Sequence, residues 1–143
     1  MAEIRRSSSA VWSGTGKEGK GSVSSSSGAL SNVPYSFAKR FGDEKGTNPE
    51  ELIAAAHAGC FTMALAFRLT GAGHPAELLE TKADVIMTQE GGGWKISAVQ
   101  LSTEGTVPGL NAAEFQKLAE DAKANCPVSK VLNANITLSA KLK

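Results

Sequence analysis

Cysteine, histidine and aromatic side chains are scarce in this chain, and so is any excess of charge. Two cysteines in 143 residues cannot build the disulfide framework of a small secreted domain. Fifteen basic against fourteen acidic side chains leave a net charge of +1. That removes the electrostatic case for nucleic acid or an anionic membrane surface as partner. The N-terminus, Met1-Ala2-Glu3-Ile4-Arg5-Arg6-Ser7, lacks the apolar core of a secretory signal, so a cytoplasmic protein is expected. Structural disulfides are uncommon there, and the two cysteines are then either inert core thiols or a redox or catalytic pair. The apolar run from Leu52 to Phe67 stops short of the ~18 residues of a membrane span and contains His57; no membrane crossing is expected. The length suits one domain over 1–143. Its expected parts are N-terminal strands over 10–41, a central helix over 49–69 and a C-terminal α+β part over 75–143.

What the chain does have is one long helical stretch, from Gly46 to Leu69. Thr47 or Asn48 can cap it, Pro49 suits its first turn, and Glu50 and Glu51 complement the positive end of its dipole. Gly71 is the expected left-handed stop. Leu52, Ile53, the alanines, Phe61, Met63, Leu65 and Phe67 make it apolar on every side, which predicts burial on every side. Inside that rod His57 and Cys60 stand one turn apart.

Before the helix, short strands are expected at Ala10–Trp12, Gly21–Ser24 and Ser36–Phe41. The intervening Gly14-Thr15-Gly16-Lys17-Glu18-Gly19-Lys20-Gly21-Ser22 contains G-x-G-x-x-G and nearly matches a P-loop. Both motifs need a helix straight afterwards, and the text that follows is Ser-rich and strand-like. A hairpin loop is the reading. In the third strand Arg40 would face either solvent, as most arginines do, or something anionic.

After the helix, Glu80–Gln89 alternates, Gly91-Gly92-Gly93 makes a hairpin, and Trp94–Thr103 returns. Val99, Leu101 and Thr103 run out of phase with Trp94, Ile96 and Ala98, as a bulge near Ala98 or burial on both faces would produce. Asn111 and Glu114 have capping-box spacing before a helix with a Phe115, Leu118, Ala119, Ala122 stripe. Pro127 opens a short second helix with Cys126 at its N-cap, and Asn133–Lys143 closes the chain as a strand. Such an order gives α+β with mainly antiparallel sheets. The N-terminal hairpins look too short to bury the long helix alone, which an intertwined dimer would solve.

A thiol reacts as its thiolate, favoured by a helix N-terminus, a nearby cation or a hydrogen bond to the anion. Cys60 lies mid-helix among apolar residues and must recruit a cation: His57, Arg40 and Arg68 are candidates. Glu50 falls near the same helix face as Cys60, about 15 Å away along the axis. Three functions stay open on the residues alone. A Cys60–His57 dyad could act as a hydrolase or acyltransferase. Cys60 could be oxidised by a peroxide and resolved by Cys126. Or both cysteines could merely pack in a binder of apolar small molecules.

Several blocks then point one way. They are Trp12, Gly19-Lys20-Gly21, Pro34-Tyr35, Arg40-Phe41, Gly46 through Ile53, Ala55-Ala56-His57-Ala58, Cys60-Phe61, Val107-Pro108-Gly109 and Cys126-Pro127-Val128-Ser129. In these the chain resembles the OsmC family of osmotically inducible proteins, grouped with the organic hydroperoxide resistance proteins. The resemblance implies an intertwined homodimer with a long buried central helix and active sites at the subunit interface. It implies a thiol-dependent peroxidase that reduces organic hydroperoxides, and hydrogen peroxide less well, in stress defence. Cys60 would be the peroxidatic thiol and Cys126 the resolving one, joined in an intrasubunit disulfide. Arg40 would hold the thiolate and Glu50 would orient Arg40. The resemblance further implies no metal, no bound cofactor, and electrons from an external dithiol such as dihydrolipoamide.

Overall fold

The computed structural model describes residues 2–143, which divide into two compact units meeting in sequence at Leu52 and Ile53. The first unit holds an antiparallel sheet of β1 (Ser8–Ser13), β2 (Lys20–Ser25) and β3 (Val33–Tyr35), then a single-turn helix α1 (Phe37–Phe41). The glycine-rich stretch is the β1–β2 hairpin loop. Thr15 gathers its polar groups inward: its carbonyl accepts from Gly19 N–H at 2.8 Å and from Trp12 Nε1 at 3.1 Å, and its hydroxyl from Glu18 N–H at 3.0 Å. A strand follows the loop, not a helix, so the phosphate-cradle geometry is missing. Gly21 sits beneath the tilted Trp12–Tyr35 pair, whose ring centroids are 5.3 Å apart. A Cβ on Gly21 would come within 2.4 Å of the Trp12 ring and 2.6 Å of the Tyr35 ring.

The expected third strand is corrected. Pairing ends at Tyr35, and Phe37–Phe41 is helical. Ser36 decides this: its hydroxyl accepts from Lys39 N–H at 3.2 Å, and its carbonyl from Arg40 N–H at 3.0 Å. The aromatic spacing that fits an alternating strand also fits i, i+4 on a helix, where Phe37 and Phe41 meet at 5.0 Å.

Helix α2 (Pro49–Gly71) begins at the end of the first unit and continues in the second. Asn48 caps it, its Oδ1 accepting from Glu51 N–H at 2.8 Å. Gly71 is still helical; the left-handed residue is Gly73, with φ +84°, and His74 N–H closes on Leu69 O at 2.9 Å. Two more residues of helix therefore fit before the stop. With its ends included, α2 is long and apolar enough to cross a membrane, which the count from Leu52 to Phe67 leaves out. Burial on every side is also corrected. Only the stripe His57, Phe61, Leu65, Leu69 is buried, at spacing i, i+4, while Met63 is 64% and Phe67 71% exposed. A single chain has one set of partners for this helix, and they cover one face.

Those partners belong to the second unit. Strands β4 (Leu78–Glu90) and β5 (Gly93–Thr106) form a long antiparallel hairpin, and β6 (Asn135–Leu142) adds to β5 in parallel. Ile86 pairs with Ala98 but Met87 with Ile96, so Ser97 is the extra residue of a bulge. The bulge restores the phase that buries Val99, Leu101 and Thr103. Helix α3 (Ala112–Asn125), capped by Asn111 Oδ1 accepting from Glu114 N–H at 2.8 Å, contributes Phe115, Ala119 and Ala122. Each large side chain buried here contributes about 1.5–3 kcal/mol. Through the same core runs a seam of hydroxyls: Thr62 Oγ1 lies 2.7 Å from Thr81 Oγ1, itself 3.0 Å from Thr103 Oγ1. The seam satisfies groups that burial would otherwise strand. Helix α4 (Pro127–Val131) follows α3 at once, with Pro127 in its first turn and Cys126 as the shared cap residue.

Candidate active site

Two clusters contain the residues singled out from the sequence, one in each unit. In the first unit, Arg40 on α1 faces Glu50 in the opening turn of α2. Its Nε donates to Glu50 Oε1 at 3.0 Å and its NH2 nitrogen to Oε2 at 2.9 Å, a bidentate fork. The Arg40 carbon Cζ also stands 5.1 Å from the centre of the Phe41 ring. The hydrogen bond to Glu50 raises the guanidinium's affinity for its proton further, against a smaller opposing effect of burial. Arg40 is thus fixed in direction, not a freely solvated surface arginine. Beside it lies a cavity of about 260 Å³ walled by Trp12, Tyr35, Phe37, Arg40 and Phe41.

In the second unit, Cys60 on α2 and Cys126 at the α3–α4 junction are brought together. Cys126 Sγ and Cys60 Sγ share an S–H···S hydrogen bond at 2.7 Å, and both thiols are free. Cys126 is fully buried and Cys60 half-buried. Cys126 makes no side-chain hydrogen bond to its own helix; its sulfur pairs with Cys60 instead. Burial pushes the Cys60 thiol above its ordinary value, and the hydrogen bond shared with Cys126 pushes the same way. A backbone hydrogen bond from Val128, in the first turn of α4, pulls it back down.

His57, one turn before Cys60 on α2, does not reach for that thiol. Its Nε2 is 2.8 Å from Ser129 Oγ, and its Nδ1 has no hydrogen-bond partner. Burial lowers its pKa below the usual 6.5 and keeps the ring neutral. No Cys–His dyad is assembled, which removes the arrangement that acyl transfer requires. Ser129 and the Val128 amide were missed as partners on sequence. The only signal was their place beside Cys126, and nothing in spacing shows that they bond residues of the distant helix α2. Among the described residues no group of three or more His, Cys, Asp or Glu could hold a metal ion.

Two thiols within reach of one another, one of them served by a backbone donor, make a centre able to pass between dithiol and intramolecular disulfide. The fold that carries it is α+β with two three-stranded sheets and one long helix. Residues 42–141 match the family described as OsmC-like protein, and the chain belongs to that family. It is 49% identical over 140 residues to peroxiredoxin OsmC of Escherichia coli (strain K12), with 98% of each chain covered. It is 34% identical over 132 residues to an organic hydroperoxide resistance protein of Xanthomonas axonopodis pv. citri (strain 306), covering 89% of this chain and 87% of the relative. Among solved structures, an organic hydroperoxide resistance protein from Elizabethkingia anophelis superimposes with a TM-score of 0.78. It is 28% identical over the whole of both chains.

Proposed function

We propose that the chain is a cysteine-based peroxidase that reduces organic hydroperoxides, and hydrogen peroxide less well, in defence against oxidative and osmotic stress. The observation that carries this reading is the 2.7 Å approach of Cys60 and Cys126 in a chain so similar to a peroxiredoxin. In the proposed cycle the Cys60 thiolate attacks the outer peroxide oxygen. The O–O bond breaks, the alkoxide takes a proton and leaves as the alcohol, and Cys60 is left as a sulfenic acid. Cys126 then attacks the Cys60 sulfur. The S–S bond forms, the S–O bond breaks, and hydroxide leaves as water with the proton that Cys126 gives up. An external dithiol of the dihydrolipoamide kind returns both thiols by two exchanges.

In this reading Arg40 supplies the cation that Cys60 lacks on its own helix, and Glu50 aims it. The planar fork suits that double duty, since a guanidinium can contact a carboxylate on one edge and an anion on another. The aromatic cavity beside Arg40 is suited to the organic tail of a substrate. A homodimer of intertwined subunits would cover Met63 and Phe67, whose exposure on an otherwise apolar helix is unusual for a finished surface. A cytoplasmic setting, where thiol pools keep cysteines reduced, fits the two free thiols, and the whole chain would act as one domain.

One measurement tests the core of this. Reduced protein is given one equivalent of cumene hydroperoxide, quenched with an alkylating agent and weighed by mass spectrometry. A Cys60–Cys126 disulfide is expected, absent in Cys60→Ser, while Cys126→Ser accumulates sulfenic or over-oxidised Cys60. Two alkylated thiols throughout would defeat the proposal.

A further inference from the structure

We propose that the buried His57–Ser129 hydrogen bond is a positioning device for the resolving step, a clasp that holds α4 against α2 so that Cys126 meets Cys60. The inference rests on the peroxidase reading above and assigns two residues that the cycle itself does not use.

A one-turn helix has no stability of its own, because the cost of nucleating a turn is not recovered over so short a run. Helix α4 must be fastened by its side chains. Pro127, Lys130 and Val131 are exposed, Val131 at 77%. Three neighbouring residues face α2 instead. Cys126 Sγ shares a hydrogen bond with Cys60 Sγ, the Val128 backbone bonds the same sulfur, and Ser129 Oγ meets His57 Nε2. The contacts form a matched pair. His57 and Cys60 are three residues apart on one helix, and Cys126 and Ser129 are three apart on the other segment. One contact alone would leave a pivot; two, a turn apart, fix both the approach of α4 and its rotation.

His57 is a poor choice for packing alone. The ring is fully buried and its Nδ1 bonds to nothing, so it carries an uncompensated desolvation cost that a leucine would avoid. What the imidazole gains at that position is the bond to Ser129. Buried polar groups of this kind fix one arrangement among several that an apolar core would tolerate.

The arrangement matters most once Cys60 is a sulfenic acid. The S–H···S bond is then gone, and with it one of the contacts on α4. The His57–Ser129 bond does not depend on the oxidation state of either sulfur. It keeps Cys126 aligned for attack during the interval in which a second peroxide could carry Cys60 on to sulfinic acid.

The test separates the two chemical steps in the full-length reduced protein. Rapid mixing with one equivalent of cumene hydroperoxide follows peroxide loss, and acid quench with mass spectrometry follows disulfide formation. Ser129→Ala is expected to keep peroxide loss within about twofold. Disulfide formation should slow by about tenfold, the rate equivalent of one net hydrogen bond, and sulfinic acid should rise under excess peroxide. Ser129→Thr, which keeps the hydroxyl, should restore closure. Should Ser129→Ala not fold, His57→Leu is compared with His57→Gln, which retains an N–H donor and is expected to close faster. Closure at the wild-type rate without the hydroxyl would overturn the clasp, as would equal slowing of both steps. Wild-type protein that consumes no hydroperoxide instead overturns the peroxidase reading. Diamide, a two-electron oxidant of paired thiols, still reports on the clasp in that event: slower diamide closure in Ser129→Ala supports it, and equal closure overturns it.

Discussion

Oxidising the thiol pair should stabilise the fold, and the size of the gain follows from where the cysteines lie in the chain. They are 66 residues apart. Closing a loop of that length removes unfolded-state entropy equivalent to about 4 kcal/mol at 25 °C. The sulfurs need to approach only from 2.7 Å to a bond length of about 2.05 Å, so the folded state changes little. Against the gain stands the lost S–H···S hydrogen bond, at most about 1 kcal/mol. The remainder, about 3 kcal/mol, corresponds to a rise in melting temperature of roughly 6–12 °C for a chain of this size. The assay is thermal unfolding by circular dichroism of dithiothreitol-reduced and stoichiometrically oxidised protein, at one protein concentration because the melting temperature of the proposed dimer would depend on it. A Cys60→Ser, Cys126→Ser double variant should show no difference between the two treatments. If protein with a confirmed Cys60–Cys126 disulfide melts at or below the reduced form, the docked arrangement is not the template for the bond. Closure would then have to distort α4 or its seat on α2.

Two further outcomes are expected. Glu50→Gln leaves Arg40 one good acceptor in place of a charged two-pronged partner. Hydroperoxide turnover with a dithiol should fall by about tenfold to a hundredfold, the usual cost of misplacing a reacting group by about 1 Å. Stability should change by less than about 1 kcal/mol because the pair is partly exposed, with 37% of the Arg40 side chain accessible; unchanged turnover would remove Glu50 from its proposed orienting role. The second concerns pH. Burial holds the His57 pKa below 6.5 in the folded protein, so the unfolded chain takes up a proton first as pH falls. Stability is therefore undiminished by this group above pH 6.5 and is lost as pH drops from there through the folded value. Denaturant titrations from pH 7.5 downward should show that loss in wild type and a shallower one in His57→Gln; parallel curves would mean that the ring is not buried neutral.

What the sequence makes legible depends on how far apart the deciding atoms lie. Helices α3 and α4 could be read because their signals are local. Asn111 caps an amide three residues on, and Pro127 sits beside the residue it follows. The same locality explains the error at Phe37–Phe41. Aromatic residues four apart satisfy a strand's alternation and a helix's turn equally, and only the Ser36 cap breaks the tie. The slip in β5 was visible as a change of phase, and Ser97 is its cause. Parallel pairing of β6 with β5 could not be read, because strand order is set by chain segments that meet only in the fold.

The long helix shows the limit most clearly. Its residues are apolar on all faces, so no periodicity marks which face this chain buries. The structure selects His57, Phe61, Leu65 and Leu69. That choice also decides the chemistry. With His57 on the buried stripe its Nε2 goes to Ser129, 72 residues away, and it is lost as a base for Cys60. Cys60, one position before Phe61, stays at the edge of the stripe, half-buried and within reach of both Cys126 and Val128. A shift of the buried face by one residue would submerge the thiol and move the histidine to the edge. The apolar excess of α2 is therefore not redundant core. It leaves a second apolar face beside the Cys60 sulfur, and the covering of that face, which the proposed dimer would supply, would set the environment in which the proposed peroxidatic thiol meets its substrate.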